Sequence, residues 1–399
     1  MKKILALIMA ASMAVSLVAC GNDSSASNSG ATTSTGSTSE AAATSDSDAK
    51  TDVAFITDVG NIDDQSFNQY TWQGVQDFCD ANSLKANYYR PTEDSDAARL
   101  EQVDNAVNDG AKAVVMAGFL FTNTLYEAQS KYPDISFLAL DVSLADMIGS
   151  VDGVNTNSPD FNINDYSAAD YITSNTALIT YREEQAGYLA GYAAVTDGYT
   201  ELGFLGGIAV PAVIRYGYGF VQGANEAASE MGIGNVNIKY WYSGTFSASD
   251  EIKTKMDSWY TEGTQVIFAC GGQVGNSCAA AAEANNGKMI GVDVDQSNLG
   301  DFVITSAMKA LANSVNVALT DCMSNSWTWS ESYAGTVTNL GAAEDCVGLP
   351  METSKFTNFT QEQYDKLFSE IVDGTIAIDD SASTSATPAV TNVTVDYQG

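Results

Sequence analysis

The chain has 399 residues, with 50 acidic side chains against 17 basic ones, no histidine, and a formal charge of −33. Without histidine there is no Ser-His-Asp triad, no Cys-His pair and no His-ligated zinc. So few basic residues also argue against a nucleic-acid footprint, which needs clustered Lys and Arg.

The N-terminus reads as a targeting segment. Lys2 and Lys3 precede an apolar run from Ile4 to Val18, which then closes on Ala19-Cys20. This pattern is a secretory signal peptide over residues 1–19, with a lipobox-like end that makes Cys20 the lipidated first residue of the mature chain. An uncleaved membrane helix is the alternative, but the run is short for a span. Acyl chains on one cysteine give stable anchoring, at about 0.8 kcal/mol per buried methylene. Residues 20–50 are mostly Ser, Thr, Ala, Gly and Asp with no aromatic side chain, and read as a flexible linker. Residues 379–399 return to that composition as a low-complexity tail, in which Val390 to Tyr397 could form a short strand. The remainder is longer than one core usually serves, so two lobes are expected. Of the cysteines other than Cys20, an odd number remains (Cys79, Cys270, Cys278, Cys322 and Cys346), with no CxxC metal spacing. Cys322 with Cys346, or Cys270 with Cys278, could pair; buried free thiols fit equally well.

The folded part opens on VAFITDVGNIDDQSFNQYTW, Val53 to Trp72. A short apolar strand ends on Asp58, a polar turn carries Asp63 and Asp64, and helical spacing begins at Phe67. Ala86–Tyr89 is a second strand, Ser95–Asn108 an amphipathic helix, and Lys112–Met116 a third strand. A helix over Asn123–Tyr132 leads to strand Ile135–Leu140, which ends on Asp141. Such alternation means βαβ units and parallel sheets, an α/β fold. Asp152–Ser174 is polar and aromatic, and is expected to hold a crossover strand with an inserted loop. From Thr176 the run TALITYREEQAGYLAGYAAV reads as the start of a long helix, whose small residues imply close packing. The alternation then restarts with Leu202–Leu205, Val236–Trp241, Val266–Ala269 and Met289–Val292. The first four runs start at 53, 86, 112 and 135 and the second four at 202, 236, 266 and 289, so one lobe looks repeated. Phe302–Thr305 is another short run, followed by a helix from Met308 to about Met323. Strand-like Gly335–Leu340 and a helix over Gln361–Val372 close the pattern.

In α/β sheets ligands sit at the carboxyl ends of strands. Those ends carry Asp58, Gly118-Phe119, Asp141, Gly206-Gly207, Phe246, Gly271-Gly272 and Asp293, with Lys309 shortly after the last run. Two lobes facing each other with these ends inward make a cleft of carboxylates, glycines and rings. Carboxylates accept hydrogen bonds from vicinal hydroxyls, rings stack on flat faces, and Gly271 and Gly272 let backbone approach a ligand. Each residue also has an ordinary reading: Asp63 or Asp64 as a helix cap, Phe67 as core, Asp293 as a turn residue, Lys309 as a solvated helix residue.

The run ITDVGNIDDQSFNQYTWQG resembles the basic membrane lipoprotein family, also called purine nucleoside receptor lipoproteins. VPAVIRYGYGFVQGA (Val210–Ala224), FACGGQVGNSC (Phe268–Cys278), IGVDVDQ (Ile290–Gln296) and ITSAMK (Ile304–Lys309) follow in the family's order. The resemblance implies a type I periplasmic-binding-protein fold, two Rossmann-like lobes joined by crossover hinges. Lobe 1 is expected over residues 51–175 plus 294–325, lobe 2 over 176–293 plus 326–378. It implies a binding protein with no enzymatic activity and no cofactor or metal, a monomer that delivers a purine nucleoside to an ABC permease and its ATPase. By the family's motifs, Asp58 and Asn68 are base-side contacts, Phe67 and Phe246 opposing rings, Asp141 a further acid of the site, and Asp293 with Lys309 the ribose-holding pair. The chain departs from the family in its acidity, in Tyr216 where a second arginine is common after Arg215, and in a long 160–174 loop expected at the hinge. A sugar or other small-solute receptor on the same fold is the alternative. A metal-dependent nucleoside hydrolase, or a surface sensor without a permease, are rivals from other classes.

Overall fold

The computed structural model describes residues 50–398 apart from 59, 157, 159 and 383–386. The expected signal peptide, Cys20 and nearly all of the linker lie outside these residues.

Strands that are apolar at every position need cover on both faces, and short runs of this kind become the centre of parallel sheets. The first half of the chain runs β1 (Val53–Ile56), α1 (Phe67–Asn82), β2 (Ala86–Tyr89), α2 (Asp96–Asn108), β3 (Ala113–Ala117), α3 (Thr122–Lys131), β4 (Ser136–Leu140), α4 (Leu144–Asp152) and β5 (Thr176–Tyr181). It continues through α5 (Glu183–Thr196), β6 (Glu201–Gly206), α6 (Pro211–Met231), β7 (Val236–Tyr242), α7 (Asp250–Thr261), β8 (Val266–Cys270), α8 (Val274–Asn285), β9 (Lys288–Asp293) and β10 (Val303–Lys309). It ends with α9 (Leu311–Ser324), β11 (Thr336–Leu340), β12 (Val347–Gly348), α10 (Gln361–Val372) and β13 (Val393–Tyr397). Every residue of β1, β3, β4, β5 and β8 is buried.

The strands form two sheets, ordered β11-β5-β4-β3-β1-β2 and β12-β10-β9-β8-β6-β7-β13. Within them β2-β1-β3-β4-β5 and β7-β6-β8-β9-β10 are the same doubly wound pattern, so the expected repeat is real. In each, the strand order reverses beside the first strand, which opens a crevice at the carboxyl ends.

The lobes divide the chain at other points than expected. β5 pairs with β4 in the first sheet, so TALITY is a strand; Arg182 then separates it from α5. β11 also joins the first sheet, beside β5, while β10 pairs with β9 in the second. Helix α9 returns to the first lobe and lies on α1, close enough that a Cβ at Gly74 would stand 2.7 Å from the Ala312 carbonyl oxygen. The chain therefore crosses between lobes at Tyr181–Glu183, Lys309–Leu311 and Leu340–Val347. These crossings are tied together, since Arg182 N donates to Leu340 O (2.9 Å) and Ala310 N to Cys346 O (2.8 Å). The 160–174 loop is not at this hinge, because it leads into the amino end of β5, opposite the cleft. Gln129 Nε2 holds it there by donating to Tyr171 O. Among the described residues of 152–174 there is no strand, contrary to expectation: short turns precede β5. Nor is the C-terminal segment wholly a tail, because β13 extends the second sheet beside β7.

The small residues of α5 do pack closely, against α6. A Cβ at Gly191 would meet the Phe220 carbonyl oxygen at 2.0 Å, and one at Gly219 the Glu184 carbonyl oxygen at 2.0 Å. The five cysteines of the described residues are free and buried.

Candidate functional site

Between the carboxyl ends of the two sheets lies a partly enclosed cleft, the kind of place where small molecules bind. Asp58, Phe67, Asn68, Asp141, Phe246, Gly271, Gly272, Asp293 and Lys309 all line it. Strand ends and family motifs pointed to these residues, and the fold brings all of them to one cavity.

On the first lobe, the turn after β1 is braced by carboxylates. Asp58 Oδ1 accepts from Gly60 N (2.5 Å) and Asn68 Nδ2 (2.9 Å), and Asp58 N donates to Asn68 Oδ1 (3.2 Å). Asn68 thus holds Asp58 in place as well as facing the cleft. Burial pushes the Asp58 carboxyl up to about 6, against the lowering effect of those two hydrogen bonds. Asp64 caps α1, accepting from the backbone N–H groups of Ser66, Asn68 and Gln69 at 2.9–3.0 Å. Its neighbour Asp63 is exposed.

Two acids occupy equivalent places in the repeat, Asp141 just after β4 and Asp293 at the end of β9. Both carry left-handed backbone, with φ of 57° and 67°. Such φ values are uncommon away from glycine and concentrate where function over-determines the backbone. Lys309 links the pair. Its Nζ lies 2.7 Å from Asp141 Oδ2 and 3.8 Å from Asp293 Oδ1. Lys309 is the last residue of β10, not a helix residue as expected, and is only 4% exposed. A strand position at a crossing carries its side chain from the second lobe beneath the cleft, where a helix would have turned it to solvent.

Sequence reasoning missed the rest of this charge cluster. Glu183 opens α5 at the first crossing, with Oε1 3.4 Å from Lys309 Nζ and Oε2 2.7 Å from Arg215 Nε. Had TALITY been read as a strand, Glu183 would have stood just past a strand end like the other acids. Burial lowers the Lys309 ammonium's affinity for its proton, but Asp141, Glu183 and Asp293 more than reverse this and hold it charged. Asp141 is pushed up to about 7, chiefly by burial and against Lys309. Asp293 is raised for the same reason. Glu183 moves the other way: burial is outweighed by Arg215 and Lys309, and the group is held below its ordinary value. Three carboxylates thus share two cations at the hinge side of the cleft.

Rings complete the walls. Lys309 Nζ lies 4.7 Å from the Phe67 ring centroid, 5.1 Å from Tyr181 and 5.7 Å from Tyr216. Phe246 reaches the cleft from the loop after β7, and Gly207 makes room for it, since a Cβ there would stand 2.5 Å from Phe246 Cδ1. Gly271 would in turn press a Cβ to 2.8 Å from the Gly207 backbone, and Gly272 has φ +60°. These glycines therefore serve the close fit of the cleft wall. Bonds also cross from lobe to lobe: Ser66 Oγ donates to Asp293 Oδ2 (2.5 Å), and Gln296 Nε2 to Gln65 O (2.9 Å).

Residues 51–382 match a family model described as ABC transporter substrate-binding protein PnrA-like. The ABC transporter nucleoside-binding protein BmpA of Lactococcus lactis is 24% identical over 79% of this chain and 86% of its own length. Basic membrane protein A of Borreliella burgdorferi is 25% identical over 80% of this chain and 85% of its own. Among solved structures, a solute-binding protein from Aeropyrum pernix K1 is similar at a TM-score of 0.67 and 19% identity, covering 84% of this chain and 95% of that one. Another, from Conexibacter woesei, has a TM-score of 0.62 and 17% identity over 83% and 99%. These likenesses bear out the type I periplasmic-binding-protein fold. With the family match across the two lobes, they show that the chain belongs to the Bmp family of PnrA-like ABC transporter substrate-binding proteins, a family of solute receptors and not of enzymes.

Proposed function

We propose that this protein is a monomeric, lipid-anchored receptor that captures a nucleoside, specifically a purine nucleoside, for an ABC permease and its ATPase. The observation that carries the reading is the pairing of unlike walls in one cleft. Phe67 and Phe246, from opposite lobes, offer faces for a flat base, while Asp293, Lys309 and Asp141 offer charged partners for sugar hydroxyls. Asp58, braced by Asn68, faces the base with a carboxylate oxygen. The lactococcal relative, whose name states nucleoside binding, supports the same ligand class.

The mechanism is closure without chemistry. The ligand shifts the equilibrium toward the closed form by its differential affinity for that form. Bonds such as Ser66–Asp293 and Lys309–Asp141 run from lobe to lobe and tie the site's own residues across the cleft. Anchoring through Cys20 follows from the lipobox-like end of the N-terminal run. Among the described residues no helix is long and apolar enough to cross a membrane.

Thermal-shift screening of the full chain against nucleosides, free bases and pentoses tests the ligand class. The expected result is stabilisation by purine nucleosides above all others. Stabilisation by pentoses or hexoses alone would favour a sugar receptor on the same fold.

A further inference from the structure

Among the described residues five buried side-chain polar atoms have no hydrogen-bond partner in the protein: Arg99 Nε, Thr176 Oγ1, Glu184 Oε2, Asp141 Oδ1 and Tyr216 OH. Only Asp141 and Tyr216 of these residues line the cleft. A buried polar group left without a partner is destabilising, so each such group calls for an explanation. The Asp141 atom has one in the ligand site already described. Tyr216 does not.

Tyr216 lies in the first turns of α6, 1% exposed, with its ring edge-on to Phe268 at 5.8 Å. It flanks Lys309, whose Nζ is 5.7 Å from its ring centroid. It therefore belongs to the polar part of the cleft around Lys309. A phenylalanine would fill the same space and leave no orphan. The hydroxyl is the feature that packing does not require, and as a donor it suits a ligand hydroxyl acting as acceptor.

We propose that Tyr216 is a specificity-determining contact: its hydroxyl bonds a sugar hydroxyl of the bound nucleoside, so that nucleosides lacking that hydroxyl are rejected. The proposal rests on the nucleoside reading above. A site built to hydrogen-bond a hydroxyl discriminates against analogues without it, because its own buried groups are then left unpaired.

The test is calorimetric titration of the full chain, wild type and Tyr216→Phe, with inosine and its 2′-, 3′- and 5′-deoxy analogues. Wild type should bind inosine more tightly than at least one deoxy analogue. Tyr216→Phe should weaken inosine about tenfold and leave that analogue's affinity unchanged, so that their ratio collapses toward one. The melting temperature of the unliganded variant should be unchanged or higher, since an unpaired buried hydroxyl has been removed. A ratio that survives the substitution for every analogue overturns the assignment. A large fall in melting temperature also overturns it, by giving the hydroxyl a structural role. If wild type binds no nucleoside at all, the nucleoside reading itself fails, which is a distinct result.

Discussion

Replacing Lys309 with methionine isolates the charge that joins the two lobes. Methionine keeps much of the aliphatic stem and its contact with Phe67, and removes the ammonium 2.7 Å from Asp141, 3.4 Å from Glu183 and 3.8 Å from Asp293. Glu183 retains Arg215, but the largely buried Asp141 and the buried Asp293 are left without a cation. Removing one member of a buried ion pair typically costs about 3–5 kcal/mol, because the remaining charge is uncompensated. For a folded region of this length the entropy of unfolding is roughly 0.7 kcal/mol per kelvin, so the melting temperature should fall by about 4–7 °C. The assay is differential scanning calorimetry of the full chain. The loss should be smaller at pH 5.5 than at pH 8, because both stranded acids sit above their ordinary range and can take up protons instead. Adding Asp141→Asn should recover part of the loss, since the two residues are in contact and their effects are not additive. A variant that melts within 1 °C of wild type at pH 8 would refute the electrostatic account of the hinge.

Stability should also depend on pH without any substitution. Burial holds Asp58 at about 6, and Asp141 and Glu184 at about 7, with Glu183 adding to the rise at Glu184. The folded protein therefore binds these protons more tightly than the unfolded chain, and stability is lost as pH rises from about 5 to about 8. Glu183, held low, works in the opposite sense only in more acidic solution, below its ordinary carboxylate range. A melting temperature that climbs steadily from pH 5.5 to pH 8 would contradict this. Phe67→Ala should weaken purine nucleoside binding by roughly 1–3 kcal/mol, the usual contribution of one stacked ring, and equal affinity of mutant and wild type in a fluorescence titration would remove the ring from the site. Cys20→Ala should shift the protein from the membrane fraction to the soluble one, and membrane retention on carbonate extraction would count against the anchor.

Much of this was legible in the residues themselves. β1, β2 and α10 fall where local patterns put them, because burial on both faces, edge exposure and an N-terminal Thr360–Gln363 capping box are written into short windows. The strand-end inventory found the cleft because a doubly wound lobe sends every carboxyl end to one side, whatever its helices do. What local pattern could not decide was which sheet a strand joins. TALITY runs into REEQAGYLAGY across a single residue, Arg182, so strand and helix merged into one apparent helix, and Glu183 was hidden with it. β10 ends where a helix seemed to begin, so Lys309 was placed on the wrong element though in the right site. Both errors fall at the crossings, where the next pairing partner lies in the other lobe and leaves no periodic trace. Tyr216 was noticed as a departure, but its unpartnered hydroxyl only exists once α6 has buried it.

The central claim is that the cleft takes base and sugar together, the base against Phe67 and Phe246 and the sugar against the Asp293–Lys309–Asp141 group. Titrating the full chain with inosine, and separately with hypoxanthine and ribose, measures this directly. The account predicts tight one-to-one binding of inosine, and binding of either fragment that is weaker by several orders of magnitude. Ribose binding as tight as inosine, or no binding of inosine at all, would contradict it.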